Sequence, residues 1–219
     1  MSTDKVVLSG FTNSTSAELC LTSLELKTDF TDGDIRIKDG ETVSKWQSLQ
    51  FHIHSPSEHT INGMHYSAEL HLVFQGITMP NELAVFGFMF DVNDTAGTNA
   101  FIASLGLADF TPGTLPDCNA MSVSISTLFS ALPSHKKYNY SGSLTTPPCS
   151  ENVDWYVFQE PIVVNSSQLT ELMNFWKIAT ASGDFEGNNR NVQMLNGRTV
   201  KSLGCTYDSV DLWQDFSGT

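Results

Sequence analysis

Histidine is concentrated in one short part of this chain. Five of its six histidines lie in the segment QFHIHSPSEHTINGMHYSAELHLVF, which covers residues 50–74. Two of them, His52 and His54, are separated by a single residue, and His71 follows in a second apolar stretch. A neutral imidazole is a common metal ligand. The three side chains therefore predict a metal site, provided that the backbone brings them together.

The first apolar stretch is typical of a β-strand with two different faces. Side chains two positions apart on a strand point to the same side. Gln50, His52 and His54 therefore share one face, while Phe51 and Ile53 share the other. A polar face backed by an apolar one indicates a strand whose apolar side packs in a core.

The second stretch repeats this pattern after a turn. Glu69 and His71 share one face, and Leu70 and Leu72 share the opposite face. The Asn-Gly pair at 62–63 is a strong hairpin signal, so the two strands are expected to be antiparallel neighbours. Their polar faces then meet on the same side of one sheet.

Three imidazoles with an open fourth position are typical of a catalytic zinc site, since structural zinc sites are closed by four protein ligands. Gln50 and Glu69 lie beside the histidines and can accept hydrogen bonds from their other ring N–H groups, as such ligands usually require. A single H-x-H pair would more often belong to a solvated sheet face. Three histidines of matched parity favour the zinc site. His65, in the turn, is expected to be a surface residue.

The same residues fit a second kind of metal protein. His52, His54 and Glu58 form an H-x-H-x3-E pattern, which resembles the first motif of the cupin oxygenases. Cupins also have a P-x-G-x2-H-x3-N element, and residues 75–219 contain no such element. The only later histidine is His135, so a cupin is disfavoured.

Composition places the chain among folded globular proteins. It has 219 residues, 40% of them hydrophobic, and we expect one domain over 1–219. Its net charge of −13, with only 11 Lys+Arg, argues against nucleic acid as a partner. The longest apolar runs have the length of strands, so no membrane span is expected.

The remaining pattern predicts a mainly β protein with a few peripheral helices. One short helix is expected near 98–107, and another within 164–180 with Ser166 or Ser167 as its N-cap. Strands are predicted at 23–30, 34–40, 46–54, 65–74, 83–92 and 153–164.

The cysteines and the glycosylation sequons favour an oxidising compartment. Four widely spaced cysteines suit two disulfides, with three connectivities left open, whereas four free buried thiols would be expected in a cytosolic protein. They are Cys20, Cys118, Cys149 and Cys205. N-x-S/T sequons begin at Asn13, Asn93, Asn139 and Asn165. The first ten residues lack the apolar core of a signal peptide, and we expect a secreted glycoprotein from which that peptide has been removed.

Three stretches together resemble the α-type carbonic anhydrases. They are the segment 50–74, YSGSLTTPPCSENVDWYVFQEPI at 140–162, and NNRNVQMLNGRTV at 188–200. They occur in family order, and the short HSPSEH resembles bacterial and algal members. The resemblance implies a large twisted mixed β-sheet and the reversible hydration of carbon dioxide to bicarbonate and a proton.

The resemblance also implies roles for individual residues. His52, His54 and His71 would bind Zn²⁺, with Gln50 and Glu69 as their hydrogen-bond partners. Thr145 would donate to Glu58 and accept from zinc-bound hydroxide, while His59 would be structural. The carbon dioxide pocket would be formed by Val73, Val85, Leu144, Val153 and Trp155, with Thr146 on its polar side.

The resemblance implies a Cys20–Cys149 disulfide, and Cys118–Cys205 would then remain as the second pair by elimination. It also implies sulfonamide or anion inhibitors, and we expect a monomer or homodimer. Only 51 residues precede His52 and none is histidine, so the position of the family's proton-shuttling histidine is empty. A rival hypothesis is a carbonic-anhydrase-like binding or matrix protein without turnover, but such relatives typically lose ligand histidines.

Overall fold

A computed structural model describes residues 5–9, 15–21, 26–29, 33–39, 42–109, 117–179 and 187–204. The described residues form mainly strands. These are β1 (Lys5–Ser9), β2 (Thr15–Leu21), β3 (Leu26–Asp29), β4 (Asp34–Asp39), β5 (Thr42–His54), β6 (Thr60–Ile61), β7 (Met64–His65), β8 (Ala68–Gly76), β9 (Leu83–Val92), β10 (Asp117–Val123), β11 (Lys137–Gly142), β12 (Val153–Phe158), β13 (Ile162–Val164) and β14 (Lys201–Leu203).

Twelve of these strands belong to one mixed sheet. Its main order is β10-β2-β3-β5-β8-β9-β12-β11-β14, while β4 also pairs with β1 and β5, and β13 with β9. β9 runs parallel to β12 and β13, and the other pairs are antiparallel. The predicted mainly β fold with a large mixed sheet is confirmed.

The centre of the sheet has the predicted pairing. β5 and β8 are antiparallel, and His52 lies directly opposite His71. Between these strands, β6 and β7 form a small hairpin around Asn62 and Gly63, whose φ angles are 54° and 77°. Positive φ at both turn residues is the geometry that favours an Asn-Gly pair.

The two faces of the sheet contact different apolar clusters. Phe51, Ile53, Leu70 and Leu72 are fully buried on the face that carries the main core. The other face carries the histidines and a smaller cluster built around Trp155. Opposite side-chain parity on β5 and β8 therefore separates the packing face from the polar one.

Helices pack on the main-core face. They are α1 (Ala100–Ser104), α2 (Ile125–Ser130) and α3 (Ser166–Ala179), with a 3-10 turn at Leu107–Asp109. Buried side chains from all three helices join the main core. None of the helices in the described ranges is long and apolar enough to cross a membrane.

The helix starts differ in part from the prediction. α1 lies within the predicted range, with the Asn99 side chain accepting from the Ile102 N–H. The N-cap prediction for α3 is wrong, because Asn165 accepts the Gln168 N–H at 3.0 Å and the helix begins at Ser166. α2 was not predicted, since a helix of six residues has too few turns to show a clear apolar period.

The predicted disulfide pairing is wrong. Cys20 is bonded to Cys118, with Cα atoms 4.0 Å apart, because the two residues lie directly opposite each other on β2 and β10. The Cys20–Cys149 pair is therefore excluded, and Cys118 is not available to Cys205. Cys149 is a free thiol in a turn after Thr146, whereas Cys205 lies outside the described residues.

The sequons differ in their surroundings. The Asn139 amide donates to Asp154 Oδ1 and to the Trp155 carbonyl, so a glycan on this nitrogen would disrupt both hydrogen bonds. Asn165 caps α3, as described above. Asn93 is exposed in a turn after β9 and is the sequon best suited to modification, while Asn13 lies outside the described residues.

Removing the disulfide is expected to destabilise the protein. The bond closes a loop across a sequence separation of 98 residues, and loop entropy predicts a loss of about 5 kcal/mol in the free energy of unfolding. Cys118→Ser should therefore shift the urea unfolding midpoint downward and make it insensitive to reductant. Cys149→Ser is the matched control, and it should unfold as the parent does. A reductant-insensitive parent would contradict the pairing.

Candidate metal centre

Three histidines converge on the polar face of β5 and β8. His52 and His54 come from β5, and His71 comes from the strand opposite. Their ring centroids are 4.9 to 5.0 Å apart, and one nitrogen from each ring lies within 4.8 Å of the others. All three side chains are buried. The structure thus brings together the three residues predicted to bind the metal.

One nitrogen of each ring is paired with an oxygen atom on its outer side. His52 Nδ1 lies 2.9 Å from Gln50 Oε1. His71 Nε2 lies 2.9 Å from Glu69 Oε1. Gln50 and Glu69 thus occupy the positions predicted from strand parity, each two residues before the histidine it contacts.

The third partner was not predicted. His54 Nδ1 lies 3.2 Å from the main-chain carbonyl of Asn188. The Asn188 side chain also accepts from the Ser55 N–H at 2.9 Å, which anchors the later segment beside the end of β5. Because the contact uses a carbonyl that every residue has, no side-chain pattern in the sequence could reveal it.

These outer contacts leave one nitrogen of each ring facing inward. His52 Nε2 and His71 Nδ1 are only 3.2 Å apart. His54 Nε2 is buried and has no hydrogen-bond partner. A buried polar atom without a partner is costly, and a metal ion would supply that partner. The donor set of three nitrogens fits Zn²⁺.

Electrostatics favour the neutral imidazoles that a metal requires. Burial, followed by the charges of His71 and His54, lowers the pKa of His52 well below its ordinary value. Burial and the charge of His71 lower the pKa of His54 to about 4. Both rings are therefore unprotonated at neutral pH, and protons do not compete there for the inward nitrogens.

Glu69 is a fully buried carboxylate with four hydrogen-bond partners. Its Oε1 contacts His71 and lies 2.6 Å from His59 Nδ1, and its Oε2 accepts the main-chain N–H groups of Glu58 and His59. Burial alone would raise the pKa of Glu69, but the nearby His59 and His71 outweigh it and hold that pKa well below its usual value. Glu69 is thus ionised and orients His71.

Glycine is required opposite this carboxylate. Gly87 on β9 pairs with His71, and a Cβ built there would lie 2.7 Å from Glu69 Oε1. That distance is far below a normal contact. The absence of a side chain on β9 therefore gives Glu69 the room to reach both histidines.

His59 belongs to the supporting network. Its Nε2 lies 2.6 Å from the Tyr140 hydroxyl, while its Nδ1 contacts Glu69. Burial lowers the pKa of His59, but the Glu69 carboxylate outweighs burial and raises it. His59, Glu69 and His71 lie close enough to form a second metal-binding group, but their hydrogen bonds already pair these atoms. His65 is exposed and contacts the Ser57 carbonyl at 2.6 Å.

Glu58 lies beside the histidines, but its contacts differ from the expectation. Its Oε1 accepts the Arg190 main-chain N–H at 2.7 Å, and its Oε2 lies 3.5 Å from His54 Nε2 and 3.9 Å from His71 Nδ1. In the described part of the chain, no hydrogen bond joins Thr145 to Glu58. The predicted donation from Thr145 is absent: Oε1 accepts from Arg190, while Oε2 has no hydrogen-bond partner.

The apolar residues of the predicted carbon dioxide pocket lie together in the smaller apolar cluster. Its buried members include Val73, Val85, Val153 and Trp155, and Leu144 packs against them with partial exposure. The Trp155 and His71 ring centroids are 4.7 Å apart, so this cluster reaches the metal centre. Thr146 is exposed in the loop that follows β11.

A family model described as eukaryotic-type carbonic anhydrase matches residues 2–203 of this chain. The chain is 37% identical over 155 residues to a carbonic anhydrase of Klebsiella pneumoniae, covering 69% of this chain and 55% of that protein. It is 39% identical over 160 residues to a carbonic anhydrase of Nostoc sp., covering 71% and 53%. The chain therefore spans about half the length of these two relatives.

Similarity extends to solved structures. The carbonic anhydrase Cah3 from Chlamydomonas reinhardtii, in complex with acetazolamide, matches with a TM-score of 0.75 and 29% sequence identity. The match covers 90% of this chain and 81% of that chain. The chain thus shares its fold with the algal protein over most of the length of both chains.

Filling the space at Gly87 should weaken metal binding. Gly87→Ala places a methyl group against Glu69 Oε1, which should displace the carboxylate and release His71. We expect zinc affinity to fall about tenfold or more, as for other lost partners of metal-bound histidines. Competition with a fluorescent zinc chelator measures this affinity.

Gly97→Ala is the matched control, because a Cβ at Gly97 would have no atom within 4 Å. Zinc affinity in this variant should equal that of the parent. If the Gly87 variant also bound zinc with the parent's affinity, the space opposite Glu69 would not matter for the site.

Proposed function

Because the chain belongs to the eukaryotic-type carbonic anhydrase family, we propose that it is a zinc-dependent enzyme that reversibly hydrates carbon dioxide to bicarbonate and a proton. The observation that carries this proposal is the buried histidine triad, in which each ring is oriented by its own acceptor. Because each ring is held by its own acceptor, the three inward nitrogens are already oriented for a metal ion.

His52, His54 and His71 would hold the zinc ion through Nε2, Nε2 and Nδ1. The acceptors on the outer nitrogens keep the ring protons on His52 Nδ1, His54 Nδ1 and His71 Nε2, which leaves an unprotonated nitrogen on each inner side. When bound, zinc supplies a water molecule whose pKa is lowered to about 7. Another divalent metal could also bind the same nitrogens, since affinity alone does not select zinc.

The apolar cluster supplies the place for the substrate. Carbon dioxide has no net dipole, so an apolar wall can hold it. The same wall excludes water, which would otherwise compete for the site. Val73, Val85, Val153 and Trp155 form that wall in this proposal, with Leu144 at its partly exposed edge. Thr146 would contact the more polar bicarbonate at the entrance.

Thr145 is proposed to position the attacking water. It lines a cavity together with Glu58, whose Oε2 is buried and has no hydrogen-bond partner. A hydroxyl that donates to this oxygen would have its lone pairs free to accept a hydrogen bond from the water, which would fix the direction of attack. The unpaired Oε2 supports this role.

A second candidate is a carbonic-anhydrase-like binding protein that holds the metal without turnover. The observation in its favour is that Thr145 makes no hydrogen bond with Glu58. The two candidates differ in one measurable quantity, because only the enzyme accelerates hydration beyond the metal-free rate.

The disulfide and the exposed sequon at Asn93 support a proposal about the compartment of the protein. The Cys20–Cys118 bond is consistent with an oxidising compartment, and we propose that the protein is secreted and glycosylated at Asn93. We further propose that sulfonamides and small anions inhibit it at the metal. It would act as a monomer or a homodimer.

Loss of one ligand should abolish metal binding and activity together. The purified protein is expected to contain about one zinc per chain and to hydrate carbon dioxide in stopped-flow measurements. His71→Ala should lose both properties, because two imidazoles hold the ion poorly. His65→Ala removes an exposed histidine outside the triad and should retain both. Hydration by a metal-free preparation would contradict the site.

Removing the Thr145 hydroxyl should separate metal binding from turnover. Thr145→Ala is expected to keep its zinc but to hydrate carbon dioxide about 100-fold more slowly, which is the cost of a poorly oriented attack. Thr145→Ser keeps the hydroxyl and should recover most of the rate. Equal rates in all three proteins would show that Thr145 has no positioning role, and an inactive parent with bound zinc would favour the binding protein.

A further inference from the structure

A cavity of about 340 Å³ lies beside the metal centre. It is bounded by the β6–β7 hairpin, by β11 and by the segment 190–200. Glu58, Thr145 and Trp155 line the side nearest the metal centre, and none of His52, His54 and His71 lines the cavity. Its volume lies in the range that binds small organic molecules.

Two arginines face this cavity. The guanidinium of Arg198 lies over the Tyr140 ring, with Cζ 5.6 Å from the ring centroid. Arg190 also lines the cavity, and its Nη1 is 3.5 Å from both Ser143 Oγ and the Leu144 carbonyl. Both side chains are partly buried, so their charges are presented from defined positions.

Arg198 is held in place by main-chain carbonyls. Its Nε donates to the Leu195 carbonyl at 2.9 Å, and its Nη2 donates to the Met194 carbonyl at 2.6 Å. The turn at Asn196 and Gly197, with φ angles of 49° and 79°, brings the arginine back over its own segment. A guanidinium has five N–H groups, so three remain for a ligand while the fork is already oriented.

Neither arginine has a carboxylate partner among the described residues, although the chain has 24 Asp+Glu against 11 Lys+Arg. Among the described residues that line the cavity, Glu58 is the one acidic residue. Its Oε1 is taken by the Arg190 main-chain N–H, and its Oε2 faces the histidines. In so acidic a protein, two arginines with no carboxylate partner in the described ranges favour a site for an external anion.

The other walls are aromatic and aliphatic. Tyr138, Tyr140 and Trp155 supply ring surfaces, and the Tyr140 and Trp155 rings are stacked with an interplanar angle of 8°. Val192 and Leu195, each 57% exposed, form an apolar rim at the mouth. Exposed apolar side chains at the entrance of a cavity favour a ligand that covers them.

We propose that this cavity binds a small aromatic carboxylate, whose ring lies against the tyrosines and whose carboxylate is held by Arg198 and Arg190. None of His52, His54 and His71 lines this cavity, although it shares Glu58, Thr145 and Trp155 with the proposed active site, and the proposal does not depend on turnover. Binding there and inhibition at the metal are therefore two distinguishable events.

Isothermal titration with 2-naphthoate tests the site. The zinc-loaded protein should bind one molecule per chain, with the same affinity in the absence and presence of a saturating sulfonamide. Arg198→Gln should weaken binding about tenfold or more, as expected for a lost charge-assisted pair. Lys45→Gln removes one positive charge from an exposed position on β5 and should leave binding unchanged.

A neutral analogue gives a second measurement that requires no variant. 2-Naphthamide has nearly the same shape without the charge and should bind the parent at least tenfold more weakly than 2-naphthoate. No binding by the parent, equal affinity of Arg198→Gln, or equal affinity for the amide would overturn the proposal. Competition between 2-naphthoate and the sulfonamide would place the carboxylate on the metal and overturn it as well.

Discussion

The antiparallel register of β5 and β8 is the constraint on which the rest of the structure depends. It places His52 opposite His71 and His54 opposite Glu69. Because side chains alternate between faces, a slip of one residue would turn the histidines into the main core and expose Phe51 and Ile53. Burial of each such apolar side chain contributes about 2 kcal/mol, so packing on one face fixes the geometry of the other.

The buried charge of Glu69 is the second constraint. An ionised carboxylate in an apolar interior is tolerated only when its hydrogen bonds are satisfied, and loss of one partner is strongly destabilising. Here two histidines and two main-chain N–H groups meet that demand. The arrangement links the orientation of His71 to the position of residues 58 and 59, so His71 and the loop beside it form one unit.

Short-range features of this site could be predicted from the sequence, and long-range ones could not. Parity on two strands and an Asn-Gly turn predicted that His52, His54 and His71 converge beside Gln50 and Glu69, because these relations depend on local backbone geometry alone. The Asn188 carbonyl and the Arg190 N–H were missed, since main-chain groups carry no residue signature. The Cys20–Cys118 bond depends on the pairing of β2 with β10, which no local pattern determines.

The segment 187–204 completes the metal centre although it contributes only one short strand. Its contact with His54 spans 134 positions of sequence, whereas His52 and His71 are 19 positions apart. Loop closure over a long separation is entropically costlier and slower than hairpin formation. We therefore expect the three histidine rings to be oriented in two stages. The β5–β8 pair would form first with His54 unoriented, and the third ring would take its final direction only when Asn188 reaches it.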